Sequence, residues 1–339
     1  MDAALQKKFD EVRKLIGNTP MIEIIYRYMK KEVRTLYFKL EYYNLSGSVK
    51  DRMALNVLEC AYKNGTISPD HAIAETTSGN TGISFCCLGA YFGHEVLIYM
   101  PDWMSEERKK MMSAFGAKLN LVSREQGGFK GCLKAVDELK ANNSNIFTPY
   151  QFENEHNTMA HYNTTGPEAA AQLKMFNKTC DAVIAGVGTG GTIMGLGGYL
   201  RDQNKNVKVY PMEPASSPTL STGHQVGKHR IQGISDEFIP PILKLDELDE
   251  IIAVDDGDAI IMAQALSCTF GLGVGISSGA NLIGAVKIQN LLGADKTVVS
   301  VFSDDNKKYL STDLLKEEPV KEGYLSPAIE LLSYSAAKI

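Results

Sequence analysis

The run Asp181-Ala182-Val183-Ile184-Ala185-Gly186-Val187-Gly188-Thr189-Gly190-Gly191-Thr192 sets an apolar strand, a glycine turn and a helix start in direct succession. Small residues let the backbone N–H groups of such a turn point inward, and the helix N-terminus adds positive partial charge. The turn is a seat for phosphate or carboxylate. Two other turns have the same character, Thr76-Thr77-Ser78-Gly79-Asn80-Thr81-Gly82 and Gly275-Ile276-Ser277-Ser278-Gly279-Ala280, and each is read as leaving a strand and opening a helix. Gly186, Gly188 and Gly191 also form G-x-G-x-x-G, with Glu213 about 20 residues on, which meets the dinucleotide fingerprint. Plain tight turns are the bland alternative. A dinucleotide needs only one such turn.

Outward from this stretch, apolar strands alternate with helix-length segments. Strands are predicted at 35–40, 72–75, 95–100, 118–122, 182–185, 207–212 and 297–302, and helices at 53–64, 83–92, 105–115, 129–142, 166–176, 192–203 and 259–270. That alternation argues for an α/β fold with parallel sheets covered by helices. The polar stretch 216–230 reads as a mobile loop near a site, and the tail after Leu314 as a surface or dimer-packing segment.

The 339 residues are 44% hydrophobic and carry a net charge of -5, which argues against nucleic-acid and polybasic membrane partners. The first residues lack an apolar signal core, and no apolar run approaches the roughly 18 residues of a spanning helix. The six cysteines show no CxxC spacing and the six histidines no metal spacing, so reduced thiols, a cytoplasmic location and no metal are expected.

One further turn, Asn44-Leu45-Ser46-Gly47-Ser48-Val49-Lys50-Asp51-Arg52, carries a lysine into an apolar helix beginning Met53-Ala54-Leu55. A lone lysine is ordinarily solvated. Here Gly47, Ser48 and Val49 offer no shielding bulk, and burial at a helix start favours the neutral amine that a nucleophile needs. Such a lysine and an anion cup are the minimal kit for pyridoxal phosphate, an imine at one end and a phosphate seat at the other.

With Leu15-Ile16-Gly17-Asn18-Thr19-Pro20, the Lys50 segment, Ser78–Gly82, Gln151-Phe152, Thr164-Thr165-Gly166-Pro167-Glu168, Gly188–Thr192, Gly275–Gly279 and Tyr309-Leu310-Ser311-Thr312 in order, the chain resembles the fold-type II pyridoxal-phosphate enzymes of the cysteine synthase and cystathionine β-synthase group. The resemblance spans about residues 12 to 315. It implies an α/β two-domain fold, with parallel-rich twisted sheets covered by helices and the active site between the domains. Residues 1–44 and 151–339 would form the large cofactor-binding domain, and 45–150 a smaller mobile domain.

The resemblance also implies roles. Lys50 would bind the cofactor as an imine and later move the Cα proton, and Asn80 would hydrogen-bond the cofactor's ring hydroxyl. Gly188, Thr189, Gly190, Gly191 and Thr192 would hold the phosphate, and Ser277, or its neighbour Ser278, would face the pyridine nitrogen. Thr77, Ser78, Thr81 and Gln151 would bind the substrate carboxylate, with Gly233 beside the substrate. A neutral hydroxyl at the ring nitrogen gives a weaker electron sink, which favours loss of a β-substituent. The expected partners are a small amino-acid substrate and a second copy in a homodimer.

Departures from the family pattern bear on the reaction. In Gln232-Gly233-Ile234-Ser235-Asp236-Glu237-Phe238, cysteine synthases usually have small residues where this chain has Asp236 and Glu237. A solvated acidic turn is the bland reading. A carboxylate near Cβ would instead repel hydrosulfide but activate water, or hold a second amino acid's ammonium group, and Asp236 is the favoured residue. The expected reaction is therefore β-elimination or β-replacement on L-cysteine through an aminoacrylate. It releases hydrogen sulfide and adds water, giving L-serine, or a second thiol. The alternatives are cysteine synthesis from O-acetylserine and sulfide, and a cystathionine β-synthase-like condensation. A catalytically dead binding protein is disfavoured because both lysine and cup are intact. Leu45 and Ser303 replace prolines common in the family, the second with no evident chemical consequence.

Overall fold

The computed structural model describes residues 1–235 and 237–339, so Asp236 lies outside the described residues. Strands β1 (Met21–Tyr28), β2 (Glu32–Leu40), β3 (Ala72–Thr76), β4 (Val96–Pro101), β5 (Lys118–Val122), β6 (Ile146–Phe147), β7 (Ala182–Gly186), β8 (Lys208–Pro214), β9 (Ile252–Val254), β10 (Val298–Phe302) and β11 (Ile329–Ala337) form two sheets among them. The larger has the order β11-β1-β2-β10-β7-β8-β9, the smaller β5-β4-β3-β6. The small sheet is parallel throughout. In the large one β2, β10, β7, β8 and β9 run parallel, while β11 and β1 add an antiparallel margin.

Helices α1 (Ala3–Arg13), α2 (Lys50–Asn64), α3 (Asn80–Phe92), α4 (Glu106–Ala114), α5 (Gly128–Asn142), α6 (Glu155–Ala160), α7 (Gly166–Met175), α8 (Gly191–Gln203), α9 (Thr219–Thr222), α10 (Asp256–Phe270) and α11 (Ile276–Leu292) cover the sheets. Strand alternation explains the layers. Ile22, Ile24, Leu36 and Phe38 face a core with α10 and α11, whereas Met21 and Tyr37 point to the opposite core with α7 and α8. On the small sheet Ile73 and Ile98 pack against α2 and α3, and Ala74 packs against Val136 of α5.

The structure adds elements that the pattern did not reveal. Strand β11 occupies the tail read as a surface segment, and its row of exposed side chains hides the alternation. Helix α11 is buried on nearly every side, so it has no polar stripe to announce a helical period. The Gly275 turn does not follow a strand. It leaves α10 through Gly271–Gly275, where Val274 makes only an isolated bridge to Asp305. The stretch 216–230 contains the short helix α9 and continues along a cleft.

The first helix belongs with the small sheet. Phe9 is fully buried, and its ring lies 4.4 Å from Phe92 and 5.9 Å from Tyr62. We therefore propose the two-unit division expected above with α1 counted in the smaller unit. Phe9→Ala should cost ~3–5 kcal/mol, read as an earlier urea transition in circular dichroism, since it empties a ring-sized space between α1, α2 and α3.

Candidate active site

The site forms where the carboxyl ends of parallel strands from both sheets converge, the place where open α/β sheets bind ligands. Strand β7 ends in the Gly186–Gly191 turn, β3 in the Thr76–Asn80 turn and β10 in Ser303-Asp304. Two adjoining recesses result. One is lined by Lys50, Asn80, Gly188, Thr189, Gly190, Thr192, Gly233, Ser277 and Ser303. The other shares Lys50, Asn80, Gly188, Thr189 and Gly233, and adds Thr77, Ser78, Thr81, Arg108 and Gln151. Gly191 lies just behind this surface, at the first position of α8.

Lys50 is the first residue of α2, and its N–H donates to Ser48 Oγ at 3.3 Å. Two features hold its loop. Asp51 is buried and accepts from the Ser46 N–H at 2.6 Å and from the Ser46 and Ser84 hydroxyls at 2.5 Å, while burial pushes its carboxyl upward. Arg52 makes bidentate contacts to Glu41 (2.6 and 2.9 Å) and Glu168 (2.7 and 2.7 Å), and Lys39 joins Glu168 at 2.7 Å. Burial alone would raise the Glu41 carboxyl, but the Arg52 guanidinium overcomes it and holds the group down at about 2. Together these contacts pin the helix start to the end of β2 and to α7.

The phosphate-type cup is shaped by close approaches. A Cβ on Gly188 would meet the Gly233 carbonyl oxygen at 2.5 Å, and one on Gly191 would meet Asn157 Oδ1 at 2.1 Å. Gly190 has φ +88°, a left-handed conformation natural to glycine. Asn157 Nδ2 donates to Thr189 Oγ1 and to the Gln151 carbonyl, both at 2.9 Å, which links the cup to the second recess. His161 lies 3.3 Å from Thr192 Oγ1, and burial first, then Arg52, pushes its pKa down to about 3, so it stays neutral.

In the second recess Thr81 Oγ1 donates to Gln151 Oε1 at 2.6 Å and Gln151 Nε2 donates to the Thr76 carbonyl at 2.8 Å. Thr77 Oγ1 accepts from the N–H groups of Gly79 (3.0 Å) and Gly82 (3.3 Å), which folds the turn onto the start of α3. Just before it, Glu75 is buried and accepts the Thr76 N–H at 2.8 Å; burial pushes its pKa up to about 8.

Asn80 Nδ2 donates to Asp304 Oδ2 at 2.8 Å, whereas its buried Oδ1 has no hydrogen-bond partner among the described residues. Ser278 Oγ accepts the Ser303 N–H at 3.0 Å and faces the scaffold, while Ser277 lines the recess. Ser303, which carried no expected consequence, lines the recess and receives the Val49 N–H at 2.8 Å through its carbonyl. Sequence reasoning missed Asp304, Asn157, His161, Arg108 and Gln232. Only Asp304 had a signal, its place just past the carboxyl end of a parallel strand.

Residues 12–304 match the family model of the pyridoxal-phosphate dependent enzymes. The chain is 40% identical over 309 residues to a cysteine synthase of Staphylococcus aureus, covering 91% of this chain and 98% of that one. It belongs to the cysteine synthase family of pyridoxal-phosphate dependent enzymes. Among solved structures, a hydrogen sulfide-producing enzyme from Fusobacterium nucleatum shares 53% identity at a TM-score of 0.96, covering 98% of this chain and 100% of that one. A variant of that protein is described as complexed with an alpha-aminoacrylate intermediate. A cysteine synthase from Entamoeba histolytica shares 37% identity at a TM-score of 0.82, covering 94% and 93% of the two chains.

Pyridoxal phosphate is the family's cofactor, and the residues here fit it. The glycines at 188, 190 and 191 let the turn pack against Gly233, Leu243 and Asn157 while its backbone borders the recess, the buried Asn80 Oδ1 can accept from a donor such as a ring hydroxyl, and Lys50 lines the same recess. Among the described residues no helix is long and apolar enough to cross a membrane, and no cluster of candidate metal ligands occurs.

Two outcomes follow. Gly191→Ala should drive Asn157 off Thr189 and Gln151, lowering bound cofactor per chain at least ~10-fold in visible absorbance, since the cup loses several donors together. Glu75 ionises near 4.5 when unfolded but near 8 when folded. Its contribution is thus complete below pH 4.5 and is lost as pH rises through 8. Glu75→Gln should therefore have the higher Tm at pH 8, with the difference shrinking toward pH 5.

Proposed function

We propose that this enzyme takes L-cysteine, expels hydrogen sulfide by β-elimination, and completes a β-replacement with water, giving L-serine, or with a second thiol. The observation that carries the reading is the likeness to the hydrogen sulfide-producing enzyme, closer in sequence and shape than that to the Entamoeba cysteine synthase. The acidic pair Asp236-Glu237 supports it on chemical grounds, because carboxylates disfavour an incoming hydrosulfide anion. The relatives named cysteine synthase support a second reading, cysteine formation from O-acetylserine and sulfide.

Pyridoxal phosphate, when bound, supplies the electron sink that acidifies Cα and lets a β-substituent leave. We assign Lys50 to hold the cofactor and then take the Cα proton. Asn80 would orient the ring hydroxyl, Gly188, Thr189, Gly190, Gly191 and Thr192 the phosphate, and Ser277 the ring nitrogen. Thr77, Ser78, Thr81 and Gln151 would receive the α-carboxylate at the N-terminus of α3, with Gly233 across the recess. Ser78, Gly233 and Glu237 also border a cleft of about 860 Å³ that leads to solvent, an entry path for substrate. Asp236 would activate the water. The chain would work as a homodimer.

Holoenzyme incubated with L-cysteine alone should yield sulfide and L-serine in about equal amounts; absence of sulfide above background overturns this reading. Pyruvate without serine would mark simple elimination. Asp236→Asn should lower serine formation by ~10²-fold, the scale of general-base catalysis. Lys50→Ala should lose the cofactor absorbance that borohydride bleaches in the natural enzyme.

A further inference from the structure

Arg108 on α4 is 1% exposed, among the largest fully buried side chains of the protein. Among the described residues no carboxylate forms an ion pair with it. Its guanidinium lies over the Tyr309 ring at 4.7 Å, and one terminal nitrogen donates to Gln232 Oε1. Its Nε is buried and has no hydrogen-bond partner among the described residues. The Thr77–Thr81 turn rests directly on it, for a Cβ on Gly79 would stand 2.5 Å from both Nε and Cδ.

A buried cation without a counter-charge is costly to the fold, and the cost is offset when an anion arrives. The recess it lines with Thr77, Thr81 and Gln151 holds no carboxylate among the described residues; Lys50 is its other charged side chain. The nearest acid along the contact path is Asp304. Its Oδ2 accepts from Tyr309 (2.7 Å) and Asn80 (2.8 Å), its Oδ1 has no hydrogen-bond partner among the described residues, and the Tyr309 ring stands between this carboxylate and the guanidinium, with no ion pair joining the two.

We propose that Arg108 is a positioning residue for the substrate carboxylate, which braces the underside of the turn against Gln232 and adds a fixed, desolvated positive charge behind the bound anion. The proposal rests on the reading that this turn receives an amino-acid carboxylate. It explains why position 79 lacks a side chain: any Cβ there would lift the turn from the guanidinium. Charge in a water-poor recess acts at low effective dielectric, so Arg108 reinforces the N-terminus of α3 through the turn without touching the ligand.

The test titrates holoenzyme with L-alanine and with ethylamine, the same amine without its carboxylate. Binding is followed by cofactor absorbance and by fluorescence of Trp103, the chain's one tryptophan, at the cleft mouth. Arg108→Met keeps the apolar stem and removes the charge. It should weaken L-alanine at least ~10-fold while ethylamine stays within about twofold, and Arg108→Lys should restore most of the loss. In turnover the Met variant should raise KM more than it lowers kcat. Equal weakening of both ligands would reduce Arg108 to a structural brace, and no change in either would remove it from binding; each result overturns the proposal. If Arg108→Met does not fold, Arg108→Gln is read on the same ratio, and failure of both neutral variants to fold overturns it too. The titrations need no turnover, so failure to release sulfide from cysteine would leave their outcome intact.

Discussion

The buried fork between Arg52 and the carboxylates of Glu41 and Glu168 is the constraint on which the site depends. Arg52 and Glu41 are both almost inaccessible to water, so Arg52 replaces lost hydration with Glu41, Glu168 and the Thr19 hydroxyl, and Glu41 with Arg52, Thr19 and Asn44. Removing one partner would strand the others at a cost of ~3–5 kcal/mol. The fork lies two residues beyond Lys50. It therefore ties the Lys50 end of α2 to the end of β2 and to α7, both parts of the large-sheet side, although α2 packs its apolar face into the core of the small sheet. Lys50 stands at the seam because its helix is anchored to both sides.

From that seam the polar groups form connected chains. One runs from Arg108 across Tyr309 and Asp304 to Asn80. Another runs from Gln151 through Asn157 to Thr189 of the cup. Each joins segments far apart in sequence, so the Thr76–Asn80 turn and the Gly188–Thr192 turn are held through shared buried contacts. Buried polar groups in such chains hold side chains in one orientation because an unmade hydrogen bond is expensive away from water. His161, kept neutral by burial and by Arg52, supports Thr192 without adding charge at the anion seat.

Legibility in the sequence followed the physics of each feature. The glycine turns were readable because a backbone that approaches an anion or a neighbouring carbonyl tolerates no Cβ, and Gly188 and Gly191 show that contact. Lys50 was readable because small residues flank it. The parallel strands were readable as short apolar runs. Helix α11 and strand β11 were not, since one is apolar all round and the other has its alternation masked by exposed residues. Ser277 and Ser278 could not be told apart by spacing, and the contact of Ser278 with Ser303 separates them.

The amino-acid sequence by itself determined the α/β alternation, the anion-cup turns, the family and its cofactor, because all of these rest on local constraints of size and backbone freedom. Only the tertiary structure decided which buried groups face one another: Arg52 with Glu41 and Glu168, Asn80 with Asp304, and Arg108 beneath Gly79. These pairings span from 11 to 224 residues of chain, and no local pattern encodes them. They arise because sheets closing on one seam bring buried polar groups from distant segments against one another.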